Sequence, residues 1–360
     1  MNTYDVVIVG AGPAGSMLAY ELAHRGISVL ILEKEKLPRN KTCAGGVTFR
    51  AHALLDFDIS SVTQRVAYGM KISYQLGDFC VKKYRDPLAH LVMRRDFDYL
   101  LVKKAQDAGA TVIDGMRAEQ ISASDGQVEV ITKEGPFRAK IAVGADGANS
   151  MVASKMGLMR DAQRELALEA EVSISQDKLY ELGSLISVDL GRIPGGYGWV
   201  FPKKSHVSAG VTGPARLSGG FKPYLDRILQ QFGEYDIVDF SGHVMPMRRR
   251  GSSIQRSNVL LVGDAAGLIH PLSGEGIFYA IKSAKLAVPV IADALKSGVG
   301  DLRGYQKAVD SELMPGLELG RILLKIYTGC PHLCYSIIKR SDRFWGYGCR
   351  ALMGSSPAYS

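Results

Sequence analysis

The 360-residue chain lacks the sequence features of a secreted, membrane-spanning or disordered protein. Its five cysteines are odd in number and follow no secretory signal, which argues against a disulfide framework and favours a reducing compartment. No segment reaches the roughly 20 uncharged apolar residues that cross a bilayer, because Lys282, Lys285 and Pro289 interrupt the nearest candidate, residues 277–295. Internal repeats and low-complexity linkers are also missing. We therefore expect a globular protein of the cytoplasm.

Net charge and composition narrow the kinds of partner. The chain has 46% hydrophobic residues and a formal net charge of +8, which is typical of an ordered protein of about two domains with anionic partners such as phosphates or a membrane surface. Its basic pairs are scattered and lack interleaved aromatic residues, so we expect no nucleic-acid partner. Cys330 and Cys334 are spaced for one helical face but have no His or second Cys pair beside them, so no metal site is expected.

The first 33 residues have the pattern of a nucleotide-binding βαβ unit. Residues 4–9 predict an apolar strand, residues 14–25 an amphipathic helix and residues 28–32 a second strand. A Gly-Ala-Gly-Pro-Ala-Gly turn at residues 10–15 joins the first strand to the helix. This order indicates a dinucleotide, and at this stage NAD and FAD fit it equally well.

The spacing of the glycines has a physical cause. Gly10 allows a tight strand-to-helix turn, Gly12 has no side chain to block a pyrophosphate, and Gly15 lets the helix pack closely. The pyrophosphate would meet free backbone N–H groups and the positive end of the helix dipole. Glu33 ends the second strand, where a carboxylate can accept both ribose hydroxyls and disfavours a 2′-phosphate.

Two later segments also place an acidic residue directly after a buried strand. Asp146 follows a strand predicted at residues 139–143. Asp264 follows a strand predicted at residues 258–262 and precedes a long helix, so its carboxylate can accept a ribitol hydroxyl. Together with the first turn, these segments indicate one dinucleotide-binding domain that is discontinuous in sequence.

The regions between and after these segments have different hydrophobic patterns. The pattern predicts a helix at residues 97–109 and strands at residues 110–113 and 127–132. Short alternating segments separated by Gly and Pro predict an antiparallel sheet, with strands at residues 170–175, 185–190, 197–201 and 207–211. Residues 301–360 are mostly helical, and their amphipathic character fits packing against the other domains, a membrane surface or a lipid tunnel.

The three nucleotide segments, in this order, resemble the FAD-dependent oxidoreductase superfamily related to para-hydroxybenzoate hydroxylase. Arg94, at the start of the predicted helix, matches the superfamily's arginine near the flavin and its phosphates. The resemblance implies an α/β fold in which a Rossmann-like FAD-binding domain, discontinuous in sequence, is combined with an antiparallel-sheet substrate domain and a C-terminal helical region. The implied boundaries are 1–65, 94–160 and 250–300 for the FAD-binding domain, 66–93 and 161–249 for the substrate domain, and 301–360 for the helical region.

Narrower motifs resemble the geranylgeranyl reductase family. Lys-Thr-Cys-Ala-Gly-Gly at residues 41–46 is similar to the family's cysteine–glycine segment, although Ala44 replaces the first glycine of Cys-Gly-Gly-Gly. Tyr-Gly-Trp-Val-Phe-Pro at residues 197–202 matches the family's Tyr-x-Trp-x-Phe-Pro, and residues 271–277 fit its stretch beside the flavin. The resemblance implies that reduced FAD delivers hydride to an isolated prenyl double bond while a proton reaches the other carbon.

The resemblance also implies a set of site residues. The implied FAD-binding residues are Gly10, Gly12, Pro13, Ala14, Gly15, Glu33, Lys34, Cys43, Ala44, Gly45, Arg94, Asp146, Gly147, Gly263, Asp264, Gly274, Gly276 and Ile277. The implied prenyl-binding residues are Tyr197, Trp199, Phe201 and Pro202, and Cys43 is the candidate catalytic residue.

Each of these assignments has an alternative. Tyr197, Trp199 and Phe201 share one strand face because side chains alternate, and that face either lines an apolar slot or packs the core of the sheet. Cys43 either contacts the substrate or is a structural thiol. No residue identifies itself as the acid that supplies the proton.

Competing functions follow from the shared fold. They are a flavin monooxygenase of an aromatic or prenylated substrate, and a non-catalytic electron carrier or prenyl-lipid binder. The prenyl partner is a prenyl-chain lipid or a prenyl diphosphate. No second glycine fingerprint is present, so we expect NAD(P)H or reduced ferredoxin as an external electron donor. Location in the cytoplasm is compatible with peripheral membrane contact.

Overall fold

The computed structural model describes residues 3–124, 126–298 and 301–353. These residues form two compact units that are each assembled from three stretches of chain. The first unit holds the chain up to Asn40, Arg95–Gln163 and Met245–Gly320, and the second holds Lys41–Arg94, Arg164–Val244 and the chain from Arg321 onward.

The strands fall into three sheets. In chain order they are β1 (Thr3–Val9), β2 (Val29–Glu33), β3 (Gly46–Thr48), β4 (Thr63–Ala67), β5 (Gly69–Tyr74), β6 (Phe79–Lys83), β7 (Ala89–Val92), β8 (Thr111–Asp114), β9 (Gln120–Ser124), β10 (Gln127–Thr132), β11 (Gly135–Gly144), β12 (Gln163–Ile174), β13 (Leu185–Leu190), β14 (Tyr197–Pro202), β15 (Val207–Pro214), β16 (Tyr235–Met247), β17 (Gln255–Arg256) and β18 (Val259–Leu261).

Helices connect the strands and make up most of the described chain after residue 302. In chain order they are α1 (Pro13–Ala23), α2 (Phe49–His52), α3 (Arg94–Asp107), α4 (Met151–Met156), α5 (Gln176–Leu182), α6 (Phe221–Leu229), α7 (Ile277–Ser297), α8 (Arg303–Glu312), α9 (Met314–Gly329), α10 (Pro331–Arg340) and α11 (Asp342–Met353).

The first unit is built on an eight-stranded sheet whose central strands are parallel. Its order is β17-β18-β11-β1-β2-β8, and β10 and β9 extend it by antiparallel pairing from β11. All five residues of β2 are buried, as expected for a parallel strand that is covered on both faces. Helix α1 begins at Pro13, a residue suited to the first helical position, and the turn after it contains Gly26 at a φ of +73°. This architecture confirms the expected Rossmann-like fold.

The second unit contains a seven-stranded mixed sheet in the order β16-β12-β15-β14-β13-β5-β6. Helix α6 covers one face of it, where Val200, Ala209 and Val211 pack against Phe221 and Leu225 in a buried apolar cluster. The expected antiparallel pairing holds for β13, β14, β15 and β12. However, β13 pairs in parallel with β5 because β5 comes from a distant part of the chain rather than from a hairpin. A separate three-stranded sheet has the order β3-β7-β4.

The units divide the chain differently from the expected domains. Residues 41–65, expected in the FAD-binding domain, cluster with the second unit, where β3 and β4 pair with β7. Residues 301–320, expected in a separate helical region, cluster with the first unit, where Tyr305 of α8 donates a hydrogen bond to the backbone oxygen of Leu261 at 2.8 Å. In the described residues, no helix is both long and apolar enough to cross a membrane.

Candidate flavin and substrate sites

The three nucleotide segments emerge from adjacent strand ends of the parallel sheet. Val9, the last residue of β1, pairs with Gly144 at the end of β11, and Gly144 pairs with Leu261 at the end of β18. The segments that follow these strands therefore meet at one edge of the sheet. In open α/β folds this carboxyl edge is where nucleotides bind.

Close backbone contacts hold these segments together and explain their glycines. Gly10 has a φ of +104°, and a Cβ atom added to it would lie 2.4 Å from the backbone oxygen of Ala145. A Cβ on Gly15 would lie 2.0 Å from the backbone oxygen of Gly10, and one on Gly263 would lie 3.0 Å from Cβ of Ala14. The first turn thus touches both of the later segments, and side chains at these positions would separate them.

Gly12 has space above it, unlike its neighbours. An added Cβ would meet nothing nearer than Nη2 of Arg39, at 3.9 Å. Gly12 also precedes α1 without a side chain capping the helix N-terminus. An open, uncapped N-terminus beside a guanidinium suits a pyrophosphate, because its charge is met by backbone N–H groups and the helix dipole.

Glu33 is buried beside this turn and its carboxylate has several donors. Oε2 accepts a hydrogen bond from the backbone N–H of Ala11 at 2.9 Å, and Oε1 accepts one from the N–H of Glu35 at 3.1 Å. Arg39 pairs with Glu33 at 3.3 Å and with the buried Asp98 at 3.2 Å. We did not anticipate Arg39 from the sequence, since its only signal is its position six residues after the acid.

The two aspartates after β11 and β18 are held differently. Asp146 accepts hydrogen bonds from Oγ of Ser150 at 2.6 Å and from the backbone N–H of Val152 at 3.1 Å, while burial raises the pKa of its carboxyl group. Asp264 lies in the short 3-10 turn Gly263–Ala266, and its Oδ1 is 3.5 Å from the position of a Cβ added to Gly276. The Asp264 carboxylate therefore lies beside the N-terminus of α7.

In the second unit, the cysteine–glycine segment has three of its backbone groups fixed. The N–H of Cys43 donates to Oε1 of Glu169 at 2.9 Å, and Nζ of Lys203 donates to the backbone oxygen of Ala44 at 2.7 Å. The N–H of Val92 donates to the backbone oxygen of Gly45 at 2.8 Å. Gly45 has a φ of +68° and approaches Val92 so closely that an added Cβ would be 2.0 Å from its oxygen. Only glycine fits there.

The aromatic residues of β14 face away from α6. Pairing places Trp199 opposite Gly210 of β15, and the rings of Tyr197 and Trp199 meet edge to face with centroids 6.1 Å apart. Phe201 packs against a small apolar cluster that includes Ala89. The three rings therefore lie on the face of the sheet opposite the large core beneath α6.

Two buried carboxyl groups on β12 were not anticipated. Burial raises the pKa of Glu165 to about 7, and burial with the nearby Glu171 raises the pKa of Glu169 to about 7. Both lie on a stretch where acidic and apolar residues alternate. That alternation was the available signal for a strand with one polar face.

The remaining predicted residues have varied environments. Arg94 is buried at the start of α3, in the second unit. Lys34 is exposed. Pro202 lies on the face opposite Trp199 because strand side chains alternate, and it pairs with Val207 of the core. Gly147 and Gly274 have positive φ values in the turns after Asp146 and before α7, and Ile277 is the first residue of α7.

Comparison with known proteins defines the class of protein to which this chain belongs. A family model described as an FAD binding domain matches residues 3–182, half of the chain. The chain is 30% identical over 337 residues to digeranylgeranylglycerophospholipid reductase 1 of Methanopyrus kandleri, covering 88% of this chain and 89% of that protein.

Solved structures agree on the fold. A geranylgeranyl bacteriochlorophyll reductase-like protein from Thermoplasma acidophilum superposes with a TM-score of 0.85 at 23% identity, covering 98% of this chain and 96% of that one. A flavin-dependent brominase has a TM-score of 0.80 at 22% identity, covering 98% and 94%. The chain thus belongs to the geranylgeranyl reductase family of FAD-dependent oxidoreductases.

Proposed function

We propose that this protein saturates isolated C=C bonds of a geranylgeranyl-type prenyl chain. The observation that carries the proposal is the aromatic face of β14, which lies outside the α6 core and on the same strand face as the carboxyl group of Glu169 on β12. An apolar, aromatic surface suits an unsaturated hydrocarbon. The family relationship supports the same substrate class.

We assign one set of residues to binding FAD and another to binding the prenyl chain. FAD, when bound, supplies hydride to one carbon of the double bond. The turn containing Gly12 would hold the pyrophosphate, Glu33 would accept the hydroxyls of the adenosine ribose, and Asp264 would accept a ribitol hydroxyl. Tyr197 and Trp199 would align the prenyl chain and exclude water from it.

An anaerobic single-turnover experiment tests this function. The FAD-loaded protein is reduced chemically and mixed with geranylgeranyl diphosphate or, separately, with a digeranylgeranyl glycerophospholipid. We expect flavin reoxidation together with a product that has gained two hydrogens per bond reduced. Substrate-dependent oxygen consumption with a product that gains oxygen would instead indicate a monooxygenase. No reoxidation with either lipid would favour a carrier or lipid binder.

The electron donor is proposed to be external. The described residues of the first unit contain one Gly-x-Gly-x-x-Gly turn between a parallel strand and a helix, residues 10–15, and we assign it to FAD. We therefore propose NAD(P)H or reduced ferredoxin as the donor. Anaerobic titration of the oxidised protein with NADPH, NADH and reduced ferredoxin identifies the donor by bleaching of the flavin, and bleaching by none of the three would contradict this proposal.

The C-terminal helices support peripheral contact with an anionic membrane. They expose the large apolar side chains Leu319, Ile322, Leu323, Ile326, Leu333, Ile337, Phe344 and Tyr347. Residues 314–353 contain six basic residues and two acidic ones, which suits a negatively charged surface. Co-sedimentation with vesicles containing anionic lipid, compared with vesicles of zwitterionic lipid alone, tests this contact.

A further inference from the structure

Three directly paired residues form a row across neighbouring strands of the second-unit sheet. Trp199 of β14 pairs with Gly210 of β15, and Gly210 pairs with Glu169 of β12. Residues that pair directly across strands point to the same face, so the indole and the carboxyl group lie on one face with no side chain between them. A Cβ on Gly210 would lie 2.1 Å from Cζ2 of Trp199, so the indole extends over this glycine.

Trp199 and Glu169 each have one buried polar atom without a hydrogen-bond partner in the described part of the chain. These atoms are Nε1 of Trp199 and Oε2 of Glu169. The two residues are 7% and 4% exposed, respectively. A buried polar atom without a partner costs free energy, and such atoms in native proteins often mark a site of chemistry or binding. Here a donor and an acceptor lie on the face that we assign to the prenyl chain.

The other oxygen of Glu169 is fixed. Oε1 accepts the N–H of Cys43, whose segment is itself held by Lys203 and Val92. Nζ of the buried Lys203 bonds to the backbone oxygens of Ala44 and Val92 at 2.7 and 2.9 Å. The carboxyl group is thus oriented through Oε1, and this leaves Oε2 for other chemistry.

The charged groups around Glu169 oppose one another. Burial and the carboxylate of Glu171 raise its pKa, whereas the Cys43 N–H, Lys203 and Arg94 lower it, and the balance gives a pKa of about 7. The charge of Glu171 is itself offset by Oγ of Ser208 at 2.7 Å and Nε2 of His206 at 3.0 Å. A carboxyl group balanced in this way can hold a proton near neutral pH and release it, as a general acid must.

We propose that Glu169 is the proton donor in prenyl reduction, delivering the proton on Oε2 to the alkene carbon that does not receive hydride. This assignment rests on the proposed function. The O–H bond of the acid breaks, and the π electron pair of the alkene forms the new C–H bond with that proton. The other alkene carbon would receive the hydride that reduced FAD supplies, so the alkene gains two hydrogens and two electrons, and the carboxylate regains its proton from solvent. The external donor would then return two electrons to FAD, as one hydride from NAD(P)H or in two single-electron steps from reduced ferredoxin.

Anaerobic single turnover with geranylgeranyl diphosphate compares Glu169→Gln with Glu165→Gln. Glu165 is a matched control, because it is equally buried on the same strand face with a similarly raised pKa, but lies four residues away and does not bond Cys43. We expect Glu169→Gln to slow flavin reoxidation by about 100-fold or more and Glu165→Gln by less than about threefold.

The possible outcomes distinguish a failure of the proposed function from a failure of the role assigned to Glu169. If no lipid reoxidises the flavin of the wild-type protein, both the proposed function and the proton donor are overturned. A wild-type protein that turns over while Glu169→Gln turns over equally fast overturns only the role of Glu169. Loss of turnover in Glu165→Gln alone transfers that role to Glu165 and also overturns the proposal.

A measurement without turnover tests the carboxyl group itself. Infrared difference spectra of the FAD-free protein, titrated from about pH 5 to about pH 9, should show a protonated-carboxyl band that disappears near the pKa of about 7 and is weaker in Glu169→Gln. The wild-type single-turnover rate should fall over the same pH range, and the residual rate of Glu169→Gln should not. A band that is unchanged in Glu169→Gln would overturn the assignment.

Discussion

Glu33 in the first unit and Glu169 in the second are buried to nearly the same degree but are held in different ways. The two side chains are 3% and 4% exposed. Both oxygens of Glu33 accept backbone N–H groups and an arginine pairs with it, whereas Oε2 of Glu169 has no partner among the described residues. Burial alone therefore does not define the role of a carboxyl group. A carboxylate held through both oxygens has a fixed orientation and can present its remaining lone pairs to a ligand, whereas one held through a single oxygen can exchange a proton at the other.

The largest effect is expected where the first unit is most tightly packed. Gly15→Ala should remove FAD and destabilise the protein by at least about 3 kcal/mol, because the added methyl would overlap the backbone oxygen of Gly10. FAD content and thermal unfolding measure this. Gly26→Ala is the control: Gly26 has a positive φ but nothing within 4 Å of an added Cβ, so it should cost about 1 kcal/mol and keep FAD. Equal losses in the two variants would contradict the close-contact explanation.

The raised pKa of Glu169 should make stability depend on pH. The unfolded carboxyl releases its proton near 4.5 and the folded one near 7, so the folded state holds more protons between these values and stability falls as pH rises through them. In Glu169→Gln this fall should be smaller by about 3 kcal/mol. Denaturant unfolding at several pH values measures it. Glu165 contributes equally to both proteins, and identical pH profiles would show that Glu169 titrates normally.

Glu33→Gln tests the other half of the comparison. Removing the negative charge leaves Arg39 without one of its two carboxylate partners and weakens the acceptor for the ribose hydroxyls, so FAD should bind about 30-fold more weakly. Fluorescence titration of the FAD-free protein measures this. At saturating FAD, the turnover rate should match wild type. Unchanged affinity would remove Glu33 from the FAD site.

Trp199 should affect substrate rather than cofactor. Trp199→Ala removes the largest ring of the aromatic face and should weaken binding of geranylgeranyl diphosphate about tenfold, with the flavin spectrum retained. Trp199→Phe keeps an aromatic ring and should have a smaller effect. Calorimetry on the FAD-loaded, oxidised protein measures both. Wild-type affinity in Trp199→Ala would show that the ring serves packing alone.

The smallest effect is expected at the exposed C-terminal helices. Ile326→Asp should weaken binding to anionic vesicles about fivefold, since it places a charge on the apolar surface. Val238→Asp changes a residue of similar shape and exposure on β16 and should leave vesicle binding unchanged. Equal effects of the two substitutions would argue against a membrane surface on α9–α11.

Local patterns predicted the first unit far better than the second. The bounds of β1, α1 and β2 differ from the expected ones by no more than about two residues, because glycines and apolar runs define each element within the element itself. In contrast, β12 begins at Gln163 rather than residue 170, since Glu165 and Glu169 interrupt the apolar pattern. β16 was not predicted because most of its first eight residues are exposed.

Site residues in the first unit were also easier to predict from the sequence than those in the second. The glycine turns and Glu33 could be recognised because their chemistry depends on neighbours in sequence. Glu169 could not, because its environment depends on the pairing of three strands and on contacts with Cys43 and Lys203 that are distant in sequence. Trp199 was recognised as part of an aromatic face, but its position beside a carboxyl group required the register.

Gly210 restricts the order in which this surface can change during evolution. A side chain at position 210 would collide with the indole of Trp199 and with the backbone oxygen of Leu168, 2.6 Å from an added Cβ. Substitution at 210 is therefore blocked from two sides, and a smaller residue at 199 removes only the contact with the indole. A side chain at 210 is thus expected only after position 199 has become smaller and the β12 backbone at Leu168 has shifted.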